Sequence, residues 1–193
     1  NKAGRKSEKA YQLAKASAEL KRDLETILLA NQGRSAGSST VARKLGSLLS
    51  WIKTNSDAGS GGADPATIGV STRTDGTQRT FTETLLKTVV AEVFSSGGSP
   101  KVLMVGATGK QKVSSFAGIA AQRYMAPSNE PTTIIGAADV YLSDFGVLSV
   151  TPNRFLNSTN AGDETAFVID PDMLAVAYLR PFQTIELAKT GDS

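Results

Sequence analysis

The strongest periodic signal lies near the start of the chain. Ala10, Leu13, Ser17, Leu20, Leu24, Ile27 and Asn31 recur at alternating steps of three and four, the spacing of one helix face. Ala14 and Leu28 widen that stripe, and Lys15, Glu19, Arg22 and Glu25 fall on the other side. Ala, Leu, Lys and Glu dominate, all good helix formers. The pattern predicts a helix over about residues 7–30, ended by "NQG" at 31–33. At 1.5 Å per residue it is roughly 36 Å long. A coiled coil through this stripe would carry Ser17 and Asn31 in its seam, so packing on a sheet is the better expectation.

"GRSAGSST" at 33–40 reads as a flexible joint. Val41, Leu45, Leu48, Leu49 and Ile52 follow at helical spacing, as a short helix or as a strand after Gly46, and Trp51 is expected to anchor the core. "TNSDAGSGGADPATIG" is a long loop by composition. Thr80-Phe81-Thr82-Glu83 fits a capping box, and Leu85, Leu86, Val89, Val90, Val93 and Phe94 then form one apolar face. Glu83 and Lys87 stand in the favourable i, i+4 order. "SSGG" stops that helix near Ser95. A buried strand is predicted at 102–105, then a turn, then a helix at about 110–116.

After Pro131 the period shortens. "TTIIG", "ADVYLSD" and "VLSVTP" read as strands, with Asp144-Phe145-Gly146 as a hairpin turn between the last two. "NSTNAGDE" is a loop, and "TAFVID" and "LAVAYLRPF" are expected to close the sheet. The order is helix, helix, strand, helix, then four or five strands. This is α+β, not the regular alternation of a doubly wound fold.

Composition narrows the chemistry. The 193 residues suffice for one ordinary domain, and 40% are apolar. No run approaches the ~18 apolar residues of a membrane span, so no membrane partner is expected. No signal-peptide pattern opens the chain, and the missing initiator Met suggests a fragment, a processed form or a trimmed chain. Cys and His are both absent. That removes disulfides, thiol nucleophiles, imidazole bases and Cys- or His-ligated metals, and tilts the expectation away from enzymes. The net charge of +3 is mild, and Lys and Arg are interleaved with acids except at Lys2, Arg5, Lys6 and Lys9. A dedicated DNA-binding face would cluster them.

One motif asks for a catalytic reading. "VLMVGATGKQKVSSF" resembles a phosphate-binding strand–turn–helix, and an enzyme using Gly106–Lys110 for a nucleotide is the alternative of a different class. The motif needs four residues between its glycines and a hydroxyl after the Lys. Gly106 and Gly109 have only two residues between them, and Gln111 follows Lys110. A tight turn with Lys110 as a solvated helix-start residue is the better reading. The acidic pairs Asp163-Glu164 and Asp170-Pro171-Asp172 offer no calcium-loop pattern and read as surface turns. Asn157-Ser158-Thr159 matches a glycosylation acceptor by chance. No catalytic constellation, cofactor site or metal site is expected.

Three stretches together carry a family resemblance. They are "NKAGRKSEKAYQLAKASAELKRDLETILLANQG", "RTFTETLLKTVVAEVFSSGGSPKVLMVGATGKQKVSSFAGI", and "GAADVYLSDFGVLSVTPNRF" with "FVIDPDMLAVAYLRPFQTIELAKTGDS". In this order the chain resembles the major capsid (major head) proteins of tailed double-stranded DNA phages, and within them the phage SU-ten-type major head proteins. Their shared fold is named after phage Hong Kong ninety-seven. The resemblance implies a long spine helix of the peripheral domain at 1–33, an axial domain with a mixed sheet flanked by helices at 34–164, and axial-domain strands returning toward the peripheral domain at 165–193. It implies a fragment without the family's N-terminal arm, extended loop and last strands. The spine helix would then pack on a neighbouring copy or swing onto its own domain.

The implied function is structural: self-assembly of pentamers and hexamers into an icosahedral head around the genome. Scaffolding, portal and decoration proteins and non-specifically held DNA are the implied partners, and the virion, with the host cytoplasm during assembly, is the implied location. A bacterial nanocompartment shell is the close alternative. The loops at 58–69 and 125–131 are expected to meet neighbours. Arg73, Arg123, Asn129 and Arg154 are candidate subunit-interface residues, the arginines because they sit beside turns.

Overall fold

The computed structural model describes residues 7–116, 139–157 and 165–184. Its centre is a mixed sheet of four strands: Val102–Val105 (β1), Val140–Ser143 (β2), Gly146–Pro152 (β3) and Ala166–Ile169 (β4). The order is β2-β3-β1-β4. β1 runs parallel to β3, with Leu103 opposite Val150, and antiparallel to β4, with Leu103 opposite Val168. β2 and β3 form the hairpin expected around Asp144-Phe145, with Leu142 opposite Val147. The architecture is mixed α+β, as the order of elements predicted.

Strand side chains alternate between faces, so β1 feeds two cores. Leu103 and Val105 enter the first, beside Tyr141, Leu148 and Val150. Two helices cover this face. Glu83–Ser95 (α3) contributes Leu86 and Val90, and Ala107–Ser114 (α4) contributes Val113, with Phe116 just beyond. Phe116 meets Phe81 and Tyr141 edge to face, at centroid distances of 5.6 and 6.4 Å. The cap of α3 differs from the expected box. Thr82 is the N-cap and its hydroxyl accepts the Leu85 amide, so Glu83 sits at the first helical position. Glu83 instead links the helix to the sheet: its Oε1 takes the Tyr141 hydroxyl at 3.0 Å and the Lys87 ammonium at 3.0 Å.

Among the described residues the second face is covered over β1 and β4 only. Glu8–Leu29 forms α1, capped by the Ser7 hydroxyl, and Leu48–Trp51 forms the single turn α2. Leu29, Leu49, Leu156 and Phe167 make the buried cluster, with Met104 and Ile169 at its edge. Only the C-terminal end of α1 joins it. Leu13, Leu20 and Ile27 stay exposed, so the helix has not swung onto its own domain.

Other expectations are corrected. Trp51 is 54% exposed and anchors no core; its ring lies over the backbone of Gly46 and Gly69. Phe94 is exposed and lies against the Phe145 ring at a centroid distance of 4.7 Å. α4 begins at Ala107 and not at Lys110, since Gly106 takes the N-cap. "LAVAYLRPF" adds no strand: after β4 Asp170 caps a short 3-10 turn at Pro171–Met173, and residues 174–184 are exposed. "TTIIG" lies outside the described residues, as does most of "NSTNAGDE". The Gly-rich loop is folded upon itself, through a bridge between Ala63 and Thr74 and the Thr77 amide on the Ser60 carbonyl. Gly59 is required there, because a Cβ would lie 2.1 Å from the Thr77 carbonyl oxygen.

The Tyr141–Glu83 link has a pH signature. Burial, with the Glu83 carboxylate beside it, pushes the Tyr141 phenol up from 10.0 to about 12. A raised phenol pKa means that the folded state holds its proton more tightly than the unfolded state. The contribution is complete below pH 10 and fades as pH rises toward about 12. Lys87 and the Tyr141 hydroxyl hold the Glu83 carboxyl below its usual 4.5, so its contribution is present above that pH and lost as the pH falls below it. Tyr141→Phe is expected to cost about 1 kcal/mol at neutral pH and to flatten the alkaline limb. Chemical denaturation across a pH series reads both effects, and an unchanged alkaline slope in the variant would contradict the assignment.

Candidate functional site

The strand–turn–helix at Val102–Ser114 was the sequence's one invitation to chemistry. β1 ends at Val105 and α4 starts at Ala107, so a single residue, Gly106, connects them. A phosphate cradle needs a loop long enough to wrap its amides around an anion, and one residue cannot do that. Lys110 does not point toward the turn either. Its side chain is only 16% exposed and its Nζ donates to the Asp139 carboxylate at 2.9 Å and to the Val150 carbonyl at 3.0 Å. The expectation of a solvated Lys110 is therefore wrong. The ammonium crosses the edge of β3 and pins α4 to the sheet, because a carbonyl with a free lone pair and a carboxylate lie within its reach.

A groove of about 570 Å³ runs between α3 and the 54–79 loop. Its floor is apolar, from Leu85, Val89, Val93 and Phe167. The charges at its mouth satisfy one another: Arg79 pairs with Asp57, and Arg73 with Asp75. Among the described residues no three acidic groups are placed to hold a metal ion, and no helix is long and apolar enough to cross a membrane. Asp170 and Asp172 form a surface turn, as expected, and also tie it down. Asp170 accepts the Ser99 amide at 2.8 Å, which holds its carboxyl below the usual range, and Asp172 pairs with Lys101. Asp163 and Glu164 lie outside the described residues.

The most constructed region is the root of α1. Asn31 faces the backbone of Arg73 with both ends of its amide, donating to the carbonyl at 2.7 Å and accepting the N–H at 3.0 Å. Gln32 donates its backbone amide to the Ser47 hydroxyl, accepts the Ser47 amide at its carbonyl and reaches the Leu45 carbonyl with its side chain. Asn153 donates to Glu25 at 2.7 Å, while its own amide N–H bonds the Val105 carbonyl at the end of β1. Gly33 is needed at this joint, since a Cβ there would lie 1.9 Å from the Val70 carbonyl oxygen. From this root α1 extends for 22 residues, about 33 Å. Leu13, Leu20 and Ile27, seven apart, are 42, 50 and 36% exposed along it.

Two of the four residues expected at subunit contacts can be located. Arg73 lies at this root, its backbone held by Asn31 and its side chain mostly covered. Arg154 is exposed and directly follows Asn153. Arg123 and Asn129 lie outside the described residues. The sequence reading missed Lys110, Asn31 and Asn153 as structural ties. Their partners stand 29, 40, 42 and 128 positions away, so no local pattern announced them.

A long exposed helix anchored at one end, with no metal-binding cluster among the described residues, suits a building block. The family comparison decides which one: the model of the SU10 major capsid protein family matches residues 1–193. The chain belongs to the SU10 major capsid protein family. No curated protein matches it. As a phage major capsid protein it is a structural component of the virion, where it works as one of many copies in the capsid shell. The absence of a phosphate cradle at Gly106 agrees with that role and leaves nothing to favour the nucleotide-enzyme alternative.

For this capsid protein, Lys110→Ala is expected to lower unfolding stability by about 1–3 kcal/mol, because the Val150 carbonyl and Asp139 lose a charged donor. It is expected to leave ATP and GTP binding at zero in both forms. Denaturant titration reads the first effect and calorimetry the second. Nucleotide binding by the wild type that vanishes in the variant would restore the enzyme reading.

Proposed function

We propose that this capsid protein builds its shell with the fold named after phage Hong Kong ninety-seven, and that shell building is its only activity. Residues 1–33 form the spine helix of a peripheral domain, 34–164 an axial domain around the capsomer axis, and 165–193 the path back toward the periphery. The observation that carries this reading is α1: it is rooted by side-chain and backbone bonds at its C-terminal end and bare along the rest. A helix with that geometry gives a subunit a fixed lever through which to meet other copies. The mixed sheet covered by α3 and α4 is the compact body that the lever serves.

Assembly is geometric. Each contact is modest, but a closed shell repeats it many times, so weak complementary patches suffice. The protein needs no acid, base or cofactor for this. Arg73 and Arg154 contact neighbouring copies beside the root of α1, and Arg123 and Asn129 do so from the 117–138 region. Scaffolding, portal and decoration proteins are partners during assembly in the host cytoplasm. Packaged DNA is held through its backbone charge, without sequence preference and with steep salt dependence.

Electron microscopy of the complete gene product tests the reading. Icosahedral particles built of pentamers and hexamers are the expected outcome. A full-length, folded product that yields neither particles nor capsomers would sink it.

A further inference from the structure

We propose that the outer face of the β2–β3 hairpin is a docking surface for a second copy of this chain. The inference rests on the capsid reading and says which face of the subunit the neighbour covers.

The sheet's second face is covered over half its width. Met104 and Phe167 lie under Leu29, Leu49 and Leu156, but the cover stops at β3. On the uncovered half the same face presents Val140, Leu142 and Val147, at 56, 73 and 55% exposure. Leu142 and Val147 are direct cross-strand partners, so the patch is continuous. At the hairpin tip Phe145 lies against Phe94 of α3, and these rings are 41 and 53% exposed. Exposed apolar groups scattered singly need no explanation, but a contiguous set does.

The strand composition points the same way. Proteins blunt an edge strand with Lys, Pro or an inward charge to stop other chains from adding to it. Among the described residues β2 is paired on one side only, and its residues Val140, Tyr141, Leu142 and Ser143 include none of these devices. The hairpin carries no Lys or Arg between residues 140 and 152, and Asp144 is its one charge. Such a face cannot neutralise phosphates, so packaged DNA is not its occupant. Its few side chains fall far short of the ~800 Å² per partner of a stable pairwise interface. A contact of that size counts only when it is one of many identical contacts, which is the situation of a second copy in a shell and not of a lone partner.

The test uses the complete capsid subunit, with a double substitution Leu142→Glu and Val147→Glu. Both side chains are exposed, so the isolated subunit is expected to melt with the wild type. Particle yield is expected to fall at least tenfold, because each neighbour would have to bury two unpaired carboxylates. Leu142→Ile with Val147→Ile is expected to assemble normally. Amide exchange supplies a readout that needs no variant: β2, paired with β3 alone in the dissociated subunit, is expected to exchange at least tenfold more slowly in particles than in dissociated subunits. Undiminished particle yield from the Glu variant, or β2 equally protected in subunit and particle, would overturn the proposal while leaving the capsid reading intact. Failure of the wild type to form particles would instead remove the capsid reading beneath it.

Discussion

The strand Val102–Val105 is hydrogen-bonded along both edges, parallel to β3 and antiparallel to β4. Its four side chains must therefore point into one face of the sheet or the other, and both faces at this strand are covered by other elements. Leu103 and Val105 fill the core under α3 and α4, while Met104 meets the cluster that seats α1. Loss of β1 pairing would separate β3 from β4 and remove the shared wall of both cores. The single-residue turn at Gly106 follows from the same constraint. α4 must fold back at once over the face that Leu103 and Val105 have just defined, and that close return leaves no loop long enough to wrap a phosphate.

Polar ties then fix what the apolar cores leave free. A hydrophobic contact sets no direction, so the packing of Leu29 by itself would allow α1 to pivot. Asn153 removes that freedom by bonding the end of β1 through its backbone and Glu25 through its side chain. Asn31 does the same for the 54–79 loop by treating Arg73 as a strand partner. On the opposite face Glu83 accepts from Tyr141 and Lys110 donates to Val150, so α3 and α4 are each tied to the sheet by a charged group. Hydrogen bonds to charged groups are about twice as strong as neutral ones, and here each also sets orientation.

What was legible in the sequence follows this division. The stripe of α1, the buried run Val102–Val105, the Glu83–Lys87 pair and the Asp144-Phe145 turn are local patterns, and each appears where expected. The failures come from tertiary context. Trp51 was assigned to the core by its type, but the two cores are complete without it. "LAVAYLRPF" has strand composition but pairs with neither edge strand of the sheet, β2 or β4. Lys110 resembled a solvated helix-start residue because nothing nearby in sequence reveals that Asp139 and the Val150 carbonyl will come within 3.0 Å. At the candidate site, the absence of His and Cys was readable at once. The root of α1 was not, because its joints pair residues 13 to 128 positions apart.

The two bare apolar surfaces lie at opposite ends of the sheet. α1 is tied at Asn153, just past the last residue of β3, whereas the hairpin tip sits at its first residue, Gly146. Seven residue steps at ~3.3 Å separate these points by roughly 23 Å. Sites that far apart without shared partners act independently. A subunit built this way can satisfy one neighbour along the helix and another at the hairpin without either contact distorting the other, because the sheet between them is braced by a core on each face. The rigidity of the sheet makes the two contacts additive, and additive weak contacts allow a misplaced copy to leave while a copy held at both ends remains.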